Sequence, residues 1–309
     1  MSAEGSTKAI VAALVANVGI AIGKFIAFLL TGAASMLAES IHSVADSSNQ
    51  GLLLLGGKRG RRAADAQNPF GHGRERYFWS FVVALVLFTL GGAFALYEGV
   101  QKLIHPHEVD DIRIAVGVLV LAIFLETYSF RTAIVESRHV KGDQTWWRFI
   151  RTSRSPELPV VLLEDAGALI GLVLALAAVV TASVTGNSDF DAYGTISIGV
   201  LLLVIAIFLM IEMKGLLIGE TARPEEEAAI RRAVESSLSV RRVIHMRTQH
   251  LGPEDILVGI KVDLEPHLDV AGVATAINEA ETAVRKAVPM VKIVYVEPDV
   301  SRFSADAES

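Results

Sequence analysis

The chain has 309 residues, of which 52% are hydrophobic, and a mean hydropathy of +0.46, so membrane spans take precedence over soluble folds. It has no cysteine, which excludes disulfides and thiolate metal sites and leaves His, Asp and Glu as the available metal ligands. A formal net charge of -6, with no basic block interleaved with aromatics, gives no support to nucleic-acid binding.

A helix needs about 20 mostly apolar residues to cross the hydrocarbon core. Six stretches qualify, at about 8–31, 34–57, 79–101, 112–135, 157–184 and 192–218. The first follows a short polar N-terminus and lacks an evident cleavage site, so it reads as a transmembrane helix and not as a removable signal. The second is the least apolar, because it carries Glu39, His42, Asp46, Asn49 and Gln50. Basic residues cluster after the second span, at Lys58, Arg59, Arg61, Arg62, Arg74 and Arg76, and again after the fourth, from Arg131 to Arg154. The one-two and five-six connections carry no Lys or Arg. That alternation predicts both termini on the cytoplasmic side or its topological equivalent.

Beyond about residue 219 the pattern becomes that of a soluble domain. Glu225, Glu226 and Glu227 suit a helix N-terminus, followed by Ile230, Ala233, Val234 and Leu238 on one face. Val240 to His250 reads as a strand, and Ile256, Val258, Ile260, Val262 and Leu264 alternate with a period of two. A helix from about Val270 to Val288 and a strand from Val291 to Val296 complete an α-β-β-α-β order. The fold class is therefore an all-α six-helix transmembrane domain (1–218) followed by a small α+β, ferredoxin-like cytoplasmic domain (219–309).

His42 and Asp46 stand four residues apart, on one helical face and about 6 Å apart along the axis. They direct one nitrogen and one oxygen donor to a common point, a combination that suits Zn²⁺. Glu39 and Asn49 extend the stripe by three residues in either direction. Ionisable groups within a span usually face the bundle interior and mark an ion or proton path. A polar packing stripe between helices is the alternative. In the fifth span Glu164 and Asp165 interrupt an apolar run beside Gly167, Ala168 and Gly171, residues small enough for close helix approach. Neighbouring positions diverge by about 100° around a helix. One acid can thus bind metal while the other hydrogen-bonds or carries a proton. Glu126 in the fourth span is a candidate proton relay or ligand-orienting group, with helix packing as the alternative; Asn49 is a candidate for the same kind of role.

Leu37-Ala-Glu-Ser-Ile-His-Ser-Val-Ala-Asp46, the loop Asn68-Pro-Phe-Gly-His-Gly-Arg74, the six spans and the C-terminal domain together resemble the cation diffusion facilitator family. Asn49-Gln-Gly-Leu-Leu-Leu and Glu75-Arg-Tyr-Phe-Trp-Ser80 look closer to the branch that contains vertebrate zinc transporter nine. The resemblance implies a homodimeric antiporter, not an enzyme, that exchanges cytoplasmic Zn²⁺ or a related metal for protons, with no permanently bound cofactor. It implies metal ligands at His42, Asp46 and Asp165. Val161 stands where the family places an earlier helix-five ligand, so Glu164, Glu39 or a water is left to complete the shell. Asp65 and His72 match two positions of an accessory loop site whose third position here is Asn68. Ile244, Lys261, Ala274 and Tyr295 replace the family's cytoplasmic histidines, so His245, His250 and His267 are expected at the surface and the domain is expected to serve dimerisation. Transport of Mn²⁺, Fe²⁺ or Co²⁺, and a metal-binding receptor or scaffold that moves nothing, are the alternatives. A bacterial inner membrane or an equivalent cell or organelle membrane is the expected location.

Overall fold

The computed structural model describes residues 2–31, 34–105 and 112–299, and within these the description excludes the side chains of 2–5, 27, 28, 30, 31, 34–42 and 45. The chain forms two compact units, Met1–Arg61 with Glu75–Lys214, and Arg62–Arg74 with Gly215–Ser309.

The first unit is helical. It comprises α1 (Ser2–Thr31), α2 (Ala34–Gly60), α3 (Glu75–Val86), a π-helical segment (Leu87–Ala93) continuing into α4 (Phe94–Ile104), α5 (Ile112–Lys141), α6 (Trp146–Thr152), α7 (Glu157–Thr185) and α8 (Asp189–Ile218), whose last turn belongs to the second unit. Five helical stretches among the described residues are long and apolar enough to cross a membrane: α1, α3 through α4, α5, α7 and α8. Helix α2 is also long, at 27 residues, but its polar stripe dilutes the apolar content. It packs between α1 and α3, while α1 packs on α5 and α5 on α7. This is an integral multi-pass membrane domain. Large apolar side chains such as Phe124, Val184 and Ile211 point outward, as lipid-facing groups must. Helix α7 ends at Gly186 with φ 69°, the left-handed conformation that glycine adopts without a Cβ clash.

Two elements differ from the expected plan. The third span is not a continuous α-helix, and the π segment in its middle holds Gly91 and Gly92. A Cβ on Gly92 would lie 2.6 Å from Leu203 Cδ2, so the glycine permits α8 to approach closely. The short helix α6 also interrupts the connection between α5 and α7.

In the second unit β1 (Val240–Gly252) and β2 (Asp255–Leu264) form an antiparallel hairpin, and β3 (Val291–Asp299) adds parallel to β2. The sheet order is β1-β2-β3, with α9 (Pro224–Glu235) and α10 (Val270–Ala287) supplying the α-β-β-α-β sequence. Ile230 and Val234 of α9 and Ala276, Ala280 and Val284 of α10 meet Ile256, Val258, Ile260 and Val262 in one core. The period-two pattern of β2 directs these residues to the helix-covered face. Segment 62–74 packs into this unit, where a Cβ on Gly73 would stand 2.7 Å from the Leu251 carbonyl oxygen. His245 and His267 are exposed as expected, but His250 is not: it is 1% exposed, with Nδ1 3.2 Å from the Gly252 carbonyl oxygen. The turn back to β2 folds that carbonyl over the ring, which alternation along β1 does not reveal.

Candidate metal centre

Helix α7 brings Glu164 and Asp165 into the interior of the first unit, where both are buried. Their directions differ, as a 100° step around a helix requires. Glu164 faces α2, and its Oε1 accepts a hydrogen bond from Asn49 Nδ2 at 3.0 Å. Asp165 faces α5, and its Oδ2 accepts from Ser129 Oγ at 2.6 Å. Glu126, also buried, lies one turn before Ser129 on the same helix. The charges of Asp165, Glu164 and the half-buried Asp46 all act on the Glu126 carboxyl. Four carboxylates from three helices therefore share one low-dielectric region, where each needs a proton, a donor or a cation as counterpart.

The donors found here satisfy that need in part. Glu164 Oε2 and Asn49 Oδ1 are buried without a hydrogen-bond partner among the described groups. Gln50, next to Asn49, accepts from Asn17 Nδ2 at 3.3 Å, which ties α1 to the polar stripe of α2. Val161, one turn before Asp165, is fully buried and supplies no donor atom.

Of the ligand candidates, Asp46, Glu164 and Asp165 are brought into one neighbourhood, with Glu126 and Asn49 beside them. Glu39 and His42 lie on α2, but their side chains fall outside the described residues. No group of three or more His, Asp or Glu among the described residues converges tightly enough to hold one ion. The acids are gathered without forming a closed shell.

Asp65 and His72 meet directly, with His72 Nε2 3.0 Å from Asp65 Oδ2. The other oxygen, Oδ1, accepts from the backbone N–H of Asn68 at 2.7 Å and of Gln67 at 2.9 Å. The Asn68 N–H, followed by the His72 ring, holds the Asp65 carboxyl below the usual carboxylate range. Asn68 therefore completes the loop through its backbone, and both Asp65 oxygens are engaged in shaping the turn. Beyond the third span, His105 caps the end of α4 and is exposed, whereas residues 106–111 lie outside the described residues.

Sequence reasoning misses a buried ion pair. Arg76 at the start of α3 grips Glu157 at the start of α7 through both Nε and Nη2, the latter at 2.9 Å from Oε2. By sequence alone Arg76 is one of several loop cations. The available signal is its place three residues before the third apolar stretch, with Glu157 opening the fifth. Ser129 is likewise missed as a partner of Asp165, although its spacing of three from Glu126 puts it on the same polar face.

Residues 10–218 match the family model for the cation efflux transmembrane domain. The chain is 31% identical over 265 residues to the mouse mitochondrial proton-coupled zinc antiporter SLC30A9, covering 85% of this chain and 47% of that one. It thus spans about half the length of the zinc antiporter it matches. It is 24% identical over 291 residues to the magnetosome protein MamB of Paramagnetospirillum magneticum, covering 93% of this chain and 92% of MamB. Among solved structures, the nickel form of a MamM C-terminal-domain variant matches with a TM-score of 0.25 and 21% identity, covering 26% of this chain and all of that one. With two thirds of its length matching the transmembrane domain model, the chain belongs to the cation efflux family.

Proposed function

We propose that the chain is a Zn²⁺/H⁺ antiporter, not an enzyme, that exports metal from the cytoplasm through residues 1–218. The observation that carries this reading is the pair Glu164 and Asp165, buried side by side in an apolar helix and directed to different neighbours, Asn49 and Ser129. Unneutralised carboxylates in such a place are costly, so a mobile cation or proton is the natural counterpart. The name of the mouse relative, a proton-coupled zinc antiporter, supports the same choice.

In this reading Asp46 and Asp165 supply oxygen donors, His42 supplies nitrogen, and Glu164 or a water completes the shell. Metal and protons compete for the same lone pairs, so a proton gradient drives release. Helix rocking exposes the site alternately to the two sides, and Glu126 and Asn49 relay protons or orient ligands. Residues 219–309 form the cytoplasmic domain and support a homodimer, with both termini cytoplasmic and the protein in a bacterial inner membrane or an equivalent membrane. Asp65 and His72 act mainly in shaping their loop. Glu39 stays a reserve donor on the α2 face.

A second reading, transport of Mn²⁺, Fe²⁺ or Co²⁺, is favoured by one observation: the four acids gathered here, Asp46, Glu126, Glu164 and Asp165, offer only oxygen. Competition flux in proteoliposomes under a pH gradient separates the readings. Saturable Zn²⁺ uptake that is abolished in Asp165→Asn and in His42→Ala is expected. Mn²⁺ flux without Zn²⁺ flux reassigns the substrate, and tight Zn²⁺ binding with no flux makes the protein a receptor instead.

A further inference from the structure

Helix α6 has only seven residues, Trp146-Trp-Arg-Phe-Ile-Arg-Thr152, and sits between two membrane-spanning helices. Its start is capped by Thr145 Oγ1, which accepts from the Arg148 N–H at 3.3 Å. Phe149 is buried and pins the helix to the first unit, with Trp146 edge-on to it at 6.3 Å. The outward face presents Trp147, Arg148 and Arg151, all exposed. Trp147 is 61% exposed, with its ring 5.4 Å from Phe208 of α8. The Arg151 guanidinium lies 5.9 Å over that ring, while its Nε reaches Glu212 at 3.3 Å. Lys141 stands 5.4 Å over Trp146. Between Arg138 and Arg154 the chain carries five Lys or Arg residues and one acid, Asp143.

We propose that α6 is an interfacial helix that docks on the headgroups of anionic phospholipids. Continuity with α5 and α7 puts it at the membrane surface, because both flanking helices are long enough to span and the connection between them is short. Tryptophan rings with one apolar body and one N–H settle at the headgroup level. Exposed arginines beside them complement lipid phosphates, and an anionic surface favours each nearby cation about fivefold. The contacts of Trp147 with Phe208 and of Arg151 with Glu212 fix the outward face to α8, so the surface is preformed and does not depend on folding at the membrane.

The test uses the full chain in nanodiscs of phosphatidylcholine alone or in equal mixture with phosphatidylglycerol. Tryptophan emission is compared for wild type and Trp147→Phe, using quenchers placed at the headgroup, at mid-chain and in water. The part of the emission that disappears in Trp147→Phe should be quenched at least twofold more by the headgroup label than by the mid-chain label. Phosphatidylglycerol should be enriched around the wild-type protein, with the enrichment falling two- to fivefold in Arg148→Gln and further when Arg151→Gln is added. Should the double variant fail to fold, Arg148→Gln alone decides, because only the backbone of Arg148 caps the helix. Quenching of the Trp147 emission by aqueous iodide alone, or lipid enrichment unchanged in Arg148→Gln, overturns the proposal. Capture of a protein by α6 with no headgroup quenching overturns it too.

Discussion

Ser129 Oγ donates to Asp165 Oδ2 at 2.6 Å, so a hydroxyl on α5 fixes the rotamer of the carboxylate that α7 brings into the membrane interior. A hydrogen bond of this kind orients a ligand and tunes its basicity, and losing an outer partner typically weakens metal affinity by about 10–100-fold. Ser129→Ala should reduce Zn²⁺ affinity in that range, measured by titration calorimetry, while leaving the melting temperature in detergent nearly unchanged. Asp165→Asn keeps an acceptor for Ser129 and should preserve the fold while lowering flux to background. Equal flux in Asp165→Asn and wild type would remove Asp165 from the pathway.

The neighbouring acid depends on α2. Asn49→Leu deprives the buried Glu164 Oε1 of its donor, which should cost about 1–3 kcal/mol of stability. Glu164→Gln retains an acceptor for Asn49 and should be tolerated better. Comparing flux in the two variants separates the acid's charge from its anchoring. A Glu164→Gln protein that is stable but uncoupled from the pH gradient assigns Glu164 a proton-carrying part. Full coupling leaves Asp165 as the ligand on α7 and Glu164 as a structural partner.

Much of this site is legible in the amino-acid sequence. The interruption of an apolar span by Glu164 and Asp165 depends only on the cost of charge in lipid, whereas the His42 side chain, the i, i+4 partner expected for Asp46, lies outside the described residues. The 100° divergence of the two acids likewise anticipates two separate partners. Their identities are not legible, because the pairing of Asn49 with Glu164 and of Ser129 with Asp165 depends on how helices register across a bundle. Helix α6 gives no sequence signal, since seven residues are fewer than the roughly 11 over which periodicity can be judged. The π segment gives none either, because glycines within an apolar span do not mark where the hydrogen-bond ladder slips.

Arg76 and Glu157 join α3 to α7 as a buried pair, 6% and 3% exposed. Removing one partner should leave an uncompensated buried charge and cost about 3–5 kcal/mol. Arg76→Met and Glu157→Met should each lower thermal stability strongly, and the double variant should recover most of the loss. A double variant no more stable than the worse single variant would show that the ion pair itself, and not mere charge neutrality, holds these helix ends.

The π segment makes its own prediction. Gly92→Ala would put a Cβ 2.6 Å from Leu203 Cδ2 and 2.9 Å from the Leu203 backbone nitrogen, so α8 must move. Overpacking of this kind costs about 1–3 kcal/mol. The combined variant Gly92→Ala, Leu203→Ala clears the side-chain part of the clash and should regain some of the stability, while the contact with backbone nitrogen keeps it below wild type. Thermal melts of the three proteins in one detergent give the comparison.

In the second unit Lys261 Nζ reaches Glu297 at 2.9 Å and Asp299 at 3.0 Å, bridging the paired strands β2 and β3. Glu297 first, then Asp299, holds the ammonium above its ordinary value of 10.5. The folded state therefore binds this proton more tightly than the unfolded chain does. The resulting stabilisation is fully present below pH 10.5 and is lost as pH rises through the elevated folded value. Lys261→Met should thus lower the melting temperature of this unit at neutral pH, with the difference from wild type shrinking only on the alkaline side. Differential scanning calorimetry of the full chain across that range is the measurement. A difference that stays constant to the highest pH would mean that the charge of Lys261 does not support the strand pair.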